Sequence, residues 1–344
     1  MTTSSNFKKN MFTLGIETSC DETACGIVDQ DLNVMANKIY SQEEHHKAYG
    51  GVVPEIAARA HLEKISPIVS SALQEAGRDI ADIDVIAFTR GPGLIGSLLV
   101  GSSFATGMGR ALGKPVFGIS HLEGHLAAAY LSDNTLAPPF LCLTVSGGHT
   151  ELCVVEEYFT YRVLGRTRDD AAGEAFDKCG KIMGLGYPAG PRISRLAEKG
   201  KRDYIILPKG LDVRNNYEFS YSGVKTAFVR FIESVSEDHV RKNRENICAA
   251  LEFALVEILV KKTIRAMEEK KIYSVAVCGG VSANTYLRQR FREETEKRGY
   301  RAVIPHIALC TDNGAMIAGM AQMRFNHGKL TRENAVFPSL SWPD

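Results

Sequence analysis

Short apolar runs bounded by polar turns alternate with longer stretches of helical periodicity through the first half of the chain. Pro54 is placed to open a helix and Gly77 to end it, because proline suits the first helical turn and glycine the residue after the last. Pro67 lies inside this helix and is expected to kink or split it. The predicted elements are strands Phe12–Glu17, Ala24–Asp29 and Val34–Tyr40, a helix Pro54–Ala76, a strand Val85–Thr89, a helix after the turn at 91–96, a strand Val116–Ile119 and a helix His121–Leu131.

The second half repeats this order and adds helices. Three strands followed by alternating helix and strand predict a mixed-sheet α/β layout, here occurring twice. The predicted elements are strands Phe140–Val145, Thr150–Val155 and Tyr161–Gly165, helices Ala171–Met183, Ser222–Ile232 and Glu245–Glu269, a strand Ser274–Cys278, a helix Asn284–Lys297, a strand Arg301–Ile304 and a helix Asp312–Arg324.

The repeated layout suits either two generic α/β domains or a duplicated ribonuclease-H-like lobe of the actin, sugar kinase and Hsp70 ATPase type, with an interlobe cleft. Residues 15–28 and 144–155 each read as a strand, a Ser/Thr/Gly turn and a second strand, which favours duplication. The predicted fold class is therefore α/β with duplicated lobes. The predicted boundaries are a flexible N-terminus at 1–10, a first lobe at 11–137, a second lobe with helical insertions at 138–311, a closing helix at 312–326 and a C-terminal tail at 327–344.

Composition and charge narrow the class of protein. The 344 residues are 44% hydrophobic and 24% charged, which is ordinary for a globular protein of two domains. The formal net charge is +1, so any contact with nucleic acid has to come from local basic patches or partner proteins. The eight cysteines form no Cys-x-x-Cys pair, and the uncharged stretch 91–109 is broken by glycines and hydroxyl residues. We expect a soluble cytoplasmic protein with free thiols and no membrane association.

Two histidines in HLEGH lie four residues apart, so His121 and His125 occupy one face of the predicted helix. This spacing suits a metal, and it also occurs by chance on ordinary helix surfaces. The zincin motif H-E-x-x-H shares it, but Leu122 stands where that motif has its catalytic glutamate. Glu123 lies about 200° round the helix from His121 and is expected to point away. A metalloprotease would therefore lack its general base.

A third metal ligand is suggested by Asp312, which precedes the last predicted helix. Asp312 and Thr311 are equally explained as helix N-capping residues. Two histidines and one carboxylate form a ligand set with open coordination positions that is associated with non-haem Fe(II).

Two glycine turns could bring backbone N–H groups to phosphate oxygens, although the first is also compatible with a plain hairpin. They are the turn at 144–150 and the strand-to-helix turn at 278–284, where Asn284 could bond a nucleoside. The G-x-G-x-x-G at 91–96 lacks the acidic residue that a dinucleotide site needs on the next strand, so it predicts a tight turn with close helix packing.

Carboxylates accompany these turns. Asp177 lies within a predicted helix, where it could face a cleft. Glu17, Asp21 and Glu22 flank the first strand turn, where a carboxylate could act on metal-bound water or as a general base.

Nine segments together resemble one known family, in order, over about residues 12–325. The chain resembles the bacterial tRNA N6-adenosine threonylcarbamoyltransferase (TsaD) family, once described as O-sialoglycoprotein endopeptidases. One departure is Pro188-Ala189-Gly190-Pro191, where the family has Pro-Gly-Gly-Pro. The matching segments are GIETSCDET (15–23), YGGVVPE (49–55), GPGLIGSLLVG (91–101), HLEGH (121–125), VSGGHTEL (145–152), DDAAGEAFDK (169–178), FSYSGVKT (219–226), GGVSAN (279–284) and CTDNGAMIA (310–318).

The resemblance implies the duplicated fold and transfer of the threonylcarbamoyl group from threonylcarbamoyl-AMP to N6 of adenosine 37 in tRNAs reading ANN codons. It implies one interlobe Fe(II) per subunit, with Zn or Mg as alternatives in purified protein, and partnership with a TsaB-like paralogue and a TsaE-like ATPase. We expect Asp21 or Glu22 to help remove the N6 proton. The implied metal ligands are His121, His125 and Asp312, and the implied adenylate-binding residues are Thr144, Val145, Ser146, Gly147, Gly148, Asp177, Gly190 and Asn284.

Two rival functions use the same residues differently. An ATP-driven kinase or chaperone-like ATPase would turn over ATP and would not need the histidine pair. A non-catalytic nucleotide-binding scaffold would not need the carboxylates.

Overall fold

The computed structural model describes residues 11–342, and the predicted flexible N-terminus at 1–10 lies outside this range. Apart from short 3-10 turns, the elements in chain order are β1 (Phe12–Glu17), β2 (Glu22–Asp29), β3 (Val34–Ser41), α1 (Glu43–His46), α2 (Pro54–Ala76), β4 (Val85–Gly91), α3 (Ile95–Leu112), β5 (Val116–Ser120), α4 (His121–Ser132), β6 (Phe140–Val145), β7 (Thr150–Glu157), β8 (Thr160–Arg166), α5 (Ala172–Ile182), α6 (Gly190–Ala197), α7 (Ser222–Ser234), α8 (Glu237–Lys242), α9 (Arg244–Lys270), β9 (Ser274–Cys278), α10 (Thr285–Glu296), β10 (Arg301–Val303) and α11 (Gly314–Asn326).

Two five-stranded mixed sheets organise the chain, one in each of two compact units. The strand orders are β3-β2-β1-β4-β5 and β8-β7-β6-β9-β10, so both sheets follow the pattern 3-2-1-4-5. In each sheet the first three strands are antiparallel and the fourth and fifth pair in parallel. The predicted α/β fold class with a repeated lobe layout is confirmed.

The first unit comprises residues 11–45, 52–134 and 312–342 of the described chain. Its central strand β1 is buried along its whole length, in agreement with the apolar side chains that it carries, among them Leu14 and Ile16. Helix α11 packs on β1 and β2, and its residues from Gly314 to Met323 are all buried. Helix α11, although far from β1 and β2 in sequence, thus supplies part of this unit's core.

Glycines let α11 approach the sheet backbone. A Cβ at Gly26 would lie 2.1 Å from the backbone nitrogen of Ala315, and one at Gly15 would lie 2.3 Å from that of Ala318. A Cβ at Gly314 would lie 2.1 Å from the nitrogen of Gly26. Because backbone atoms form the obstacle, no side-chain rotation could make room, and these positions fix how α11 sits on the sheet.

The segment after α11 also packs against the first unit. The Phe337 N–H donates to the Arg90 carbonyl at 2.8 Å, and the Gly93 N–H donates to the Pro338 carbonyl at 3.1 Å. A Cβ at Gly93 would also lie 2.5 Å from the Ser19 carbonyl oxygen. The G-x-G-x-x-G segment is therefore a tightly packed turn, as the missing acidic residue predicts.

The second unit comprises residues 46–51 and 135–311. Its core lies between the sheet and helices α5, α6, α7, α9 and α10, with α9 buried through most of its 27 residues. Strands β6 and β9 are buried throughout except for Ser274, which agrees with their continuous apolar sequences.

Three local features differ from the expectation. Helix α2 begins at Pro54 and ends before Gly77 as predicted; of the kink or split expected at Pro67, the split does not occur, because the helix is continuous through that residue. Helix α6, which is not predicted from the sequence, begins at Gly190 with proline in its first turn. Helix α8 was missed, because its six residues are too few to establish a periodicity.

Candidate active site

The two histidines of HLEGH meet at the start of α4. Strand β5 ends at Ser120 and α4 begins at the next residue, so His121 occupies the first helical position and His125 lies one turn later. Their ring centroids are 4.6 Å apart with the rings at 72°. His121 is 5% exposed and His125 is fully buried. Two imidazoles are thus held close together in a largely dry environment.

Asp312 joins this pair across a separation of almost two hundred residues. Its Oδ1 lies 3.5 Å from His121 Nε2 and 3.3 Å from His125 Nε2. Helix α11 begins at Gly314, and its N-cap is Asn313, whose side-chain oxygen accepts from the Met316 N–H. Capping therefore does not explain the Asp312 carboxylate. One ligand atom from each of the three residues lies within 4.8 Å of the others, and all three belong to the first unit.

The environment of these residues fits a divalent transition metal. Neither ring nitrogen of His125 has a hydrogen-bond partner among the described residues, although an unsatisfied buried polar group costs about 1–3 kcal/mol. Burial alone lowers the pKa of His121, but the carboxylates of Asp312 and Glu17 outweigh it and raise that pKa to about 9. Cationic charge is therefore stabilised here, and two imidazole nitrogens with one carboxylate oxygen suit Fe(II) or Zn(II).

Glu123 lies between the histidines in sequence but does not join them in space. Its buried carboxylate pairs with Arg324 of α11, as helix geometry predicts for a side chain pointing away from the histidine face. A zincin-type general base is therefore absent from this part of the described structure.

Glu17 contacts the histidine pair from the opposite side. It is the last residue of β1, is fully buried, and its Oε2 lies 3.1 Å from His121 Nδ1. Sequence reasoning recognised Glu17 only as one of the acids near the first turn. An acidic residue ending an otherwise apolar central strand was the available signal, but contact with a residue 104 positions away could not be read from it.

Asp21 lies in the turn that leads from β1 into β2, and Glu22 is the first residue of β2. Burial, followed by the charges of Asp21 and Asp312, raises the pKa of Glu22 well above its usual range. The His61 ring contacts both ends of this segment: its Nε2 lies 2.9 Å from the Cys20 carbonyl oxygen, and its Nδ1 lies 2.7 Å from the Thr23 hydroxyl oxygen. The structure thus brings Glu22 into the electrostatic field of the Asp312 site.

The predicted glycine turn of the second unit joins β6 and β7. Ser146 and His149 close it through paired hydrogen bonds. Gly147 and Gly148 are exposed, and a Cβ added at either glycine would meet no atom within 4 Å. Thr144 and Val145 are buried in β6. The backbone of the two glycines is therefore open to a ligand, whereas the preceding residues fix the strand.

The remaining adenylate-binding candidates lie in the same unit and belong to two separate sets of hydrogen bonds. Asp177 Oδ1 accepts the N–H groups of Ala189 and Gly190 at 2.7 and 3.2 Å. Asn284 caps α10 through the Leu287 N–H and donates to Glu252 at 2.7 Å. Burial raises the pKa of Glu252, a residue that sequence reasoning missed because its contact with Asn284 is long-range.

Ala189 occupies its position without backbone strain. Its φ of −93° and ψ of −25° are right-handed helical values that any L residue adopts. The Ala189 methyl group instead restricts helix α5, because a Cβ added at Gly180 of that helix would lie 2.1 Å from the Ala189 Cβ. Ala189, which departs from the family pattern, therefore fits because its neighbour at position 180 is glycine.

Comparison with solved structures defines the class of this protein. It shares its fold with full-length HypF (TM-score 0.61, 12% identity, 93% of this chain and 56% of that chain) and with a ROK family glucokinase from Streptomyces griseus (TM-score 0.51, 11% identity, 91% and 98%). The chain thus has an α/β fold of the ASKHA type, and its first unit carries a histidine–carboxylate cluster.

Sequence relatives then identify the family. The sequence model of the family described as tRNA N6-adenosine threonylcarbamoyltransferase (TsaD) matches residues 33–319 of this chain. Proteins of that name from Methylibium petroleiphilum and Clostridium perfringens are 46% identical over 97% of both chains and 44% identical over 93% and 94%. The chain belongs to the tRNA N6-adenosine threonylcarbamoyltransferase family, and it is a transferase.

Along the described chain, no helix is both long and apolar enough to cross a bilayer. All eight cysteines lie within the described range as free thiols, and seven of them are buried.

Proposed function

We propose that this protein transfers the threonylcarbamoyl group of threonylcarbamoyl-AMP to N6 of adenosine 37 in tRNAs reading ANN codons. The observation that carries the proposal is the convergence of His121, His125 and Asp312 in a chain of this family. The resident metal is Fe(II), held by these three side chains. The free cysteines support a cytoplasmic location. The near-zero net charge supports a need for partner proteins, a TsaB-like paralogue and a TsaE-like ATPase, in binding and modifying tRNA.

The chemistry needs activation at both reactants. The N6 amine of adenine is a weak nucleophile, because its lone pair is delocalised into the ring. The donor is a carbamoyl–phosphate anhydride, so a new N6–C bond forms, the C–O bond to the phosphate breaks, and AMP leaves. When bound, Fe(II) with open coordination positions supplies a Lewis acid for the carbamoyl oxygen. The protein supplies orientation and a proton acceptor.

The second unit holds the adenylate in this proposal. The exposed backbone of Gly147 and Gly148 offers N–H groups to the phosphate, with Thr144, Val145 and Ser146 fixing the strand end. Asp177 and Gly190 lie together through their hydrogen bond, and they contact the nucleoside with Asn284. Because Asn284 already caps α10, it acts as a fixed rather than a rotating contact.

Glu22 accepts the N6 proton. Its pKa is raised by burial and by the neighbouring Asp21 and Asp312 charges, and a carboxylate with a raised pKa is a stronger base. We expect Glu22→Gln to lower kcat/KM for transfer by roughly 100-fold or more, the usual contribution of a general base. Single-turnover rates with preformed threonylcarbamoyl-AMP measure this effect. Asp21→Asn is the matched variant, and a loss confined to it would assign the role to Asp21.

The function itself is tested by analysis of modified nucleosides. The full-length chain, its partner proteins and the adenylate-forming enzyme are incubated with an unmodified tRNA transcript, threonine, bicarbonate and ATP. Threonylcarbamoyladenosine is expected at position 37, and a transcript carrying guanosine there serves as the control. Steady ATP turnover by the isolated chain with no modified nucleoside in the complete mixture would instead support the kinase or ATPase alternative.

A further inference from the structure

We propose that Glu17 is a positioning residue for the metal centre: its carboxylate accepts the Nδ1–H of His121 and thereby directs Nε2 of that ring toward the cation. The inference rests on the metal part of the proposed function, and it extends it to a residue outside the three ligands. Its starting observation is the 3.1 Å separation of Glu17 Oε2 and His121 Nδ1 on the side of the ring opposite Asp312.

The carboxylate of Glu17 is itself held rigidly. Its Oε1 accepts the Ser19 N–H at 2.5 Å, and its Oε2 accepts the Thr89 hydroxyl at 2.5 Å. Glu17 ends the central strand β1, and Thr89 lies on the adjacent parallel strand β4. The acceptor is therefore fixed by two strands of the sheet, independently of α4, which carries His121.

The chemistry of the two groups decides the tautomer. An ionised carboxylate only accepts hydrogen bonds, so the nitrogen facing it must carry the proton. The Ser19 hydroxyl also lies 3.2 Å from Nδ1, but a hydroxyl both donates and accepts and cannot select a tautomer. With hydrogen on Nδ1, the lone pair of the His121 ring is on Nε2, which lies on the side of Asp312, where a metal ligand is needed. Such outer partners of metal-ligating histidines typically contribute 10–100-fold in metal affinity.

The alternative role for Glu17 is purely structural. Through Ser19 and Thr89 it ties the turn after β1 to strand β4, and losing that tie would destabilise the unit without changing the histidine. The two roles differ in what they predict for the folded protein. Only the positioning role alters metal affinity and the protonation pattern of the His121 ring.

Zinc affinity separates these roles. Metal-free full-length protein is titrated with Zn(II) in competition with a chromophoric chelator, and urea unfolding checks that each variant is folded. We expect Glu17→Gln to bind Zn(II) about 10–100-fold more weakly than the unmodified chain. Glu123→Gln is the matched control, because Glu123 is also a buried glutamate near the histidines but pairs with Arg324. Equal affinity of the folded Glu17→Gln variant and the unmodified chain would overturn the proposal.

A second measurement needs no variant. In the Zn(II)-loaded protein labelled with ¹⁵N-histidine, NMR should show a slowly exchanging proton on Nδ1 of His121 and zinc on Nε2. Zinc on Nδ1, or a proton on Nε2, would contradict the positioning role even if Glu17→Gln failed to fold. If the unmodified chain binds no Zn(II) or Fe(II), the proposed metal centre itself fails. Normal binding with an unchanged variant rejects only the role of Glu17.

Discussion

Replacing His121 and His125 together by alanine is expected to abolish iron binding and threonylcarbamoyl transfer at the same time. The double variant keeps only Asp312 of the three candidate ligands. Lewis-acid stabilisation of the transition state contributes several kcal/mol, so transfer should fall by about a thousandfold or more. Bound iron is measured after anaerobic reconstitution, and transfer is measured as modified nucleoside per tRNA.

The fold should survive this double substitution. His125 makes no hydrogen bond among the described residues, so its removal breaks none. Without His121, the buried Glu17 carboxylate keeps the Ser19 and Thr89 donors. A cooperative urea transition of the metal-free variant checks this point. Glu123→Gln is the control on the same helix and should retain iron and activity. Full transfer by the metal-free double variant would refute the metal centre.

The second large effect is expected from Gly26→Ala. The added methyl group would lie 2.1 Å from the backbone nitrogen of Ala315 and 2.5 Å from its Cα, so helix α11 has to move away from the sheet. Overpacking typically lowers the free energy of unfolding by about 1–3 kcal/mol, and we expect a loss at the upper end of this range because the obstacle is backbone. Because Asp312 lies only two residues before α11, the displacement should also weaken metal binding. Urea unfolding and Zn(II) titration measure the two losses.

Gly107→Ala is the matched control for this substitution. Gly107 also lies in the first unit, within α3, and a Cβ there meets no atom within 4 Å. Alanine in an open helical position should leave stability unchanged or raise it by up to about 1 kcal/mol. If Gly26→Ala were as well tolerated as this control, the close packing of α11 on the sheet would not determine the position of Asp312.

The sequence predicted most of the fold, because strongly apolar strands and well-capped helices carry their information locally. Strands β1, β6 and β9 and helix α2 have the predicted bounds. Helix α6 was missed, because the turn residues at its start outweighed a helical pattern of only eight residues. Local signals were also ambiguous before α11, where the cap is Asn313 rather than Asp312.

The candidate site was only partly accessible to sequence reasoning. The histidine pair is a local pattern, and Asp312 was a candidate third ligand that helix capping explained equally well until the family resemblance favoured the ligand. Glu17 and Glu252 contact candidate site residues that are distant in sequence, in the pairs Glu17–His121 and Glu252–Asn284. Nothing in the spacing of these residues indicates a contact, because the packing of whole elements brings them together. Supporting residues of this kind require the three-dimensional structure.

The chain leaves the first unit after residue 134 and re-enters it at 312, with nearly all of the second unit in between. During synthesis on the ribosome, the segment that forms the second unit is therefore available before the first unit is complete. Helix α11, which fills the first unit's core, and Asp312 emerge only after the segment of the second unit. Loading of the proposed metal through all three ligands must consequently follow synthesis of Asp312, so a polypeptide terminated within the second unit carries the histidines without the complete ligand set.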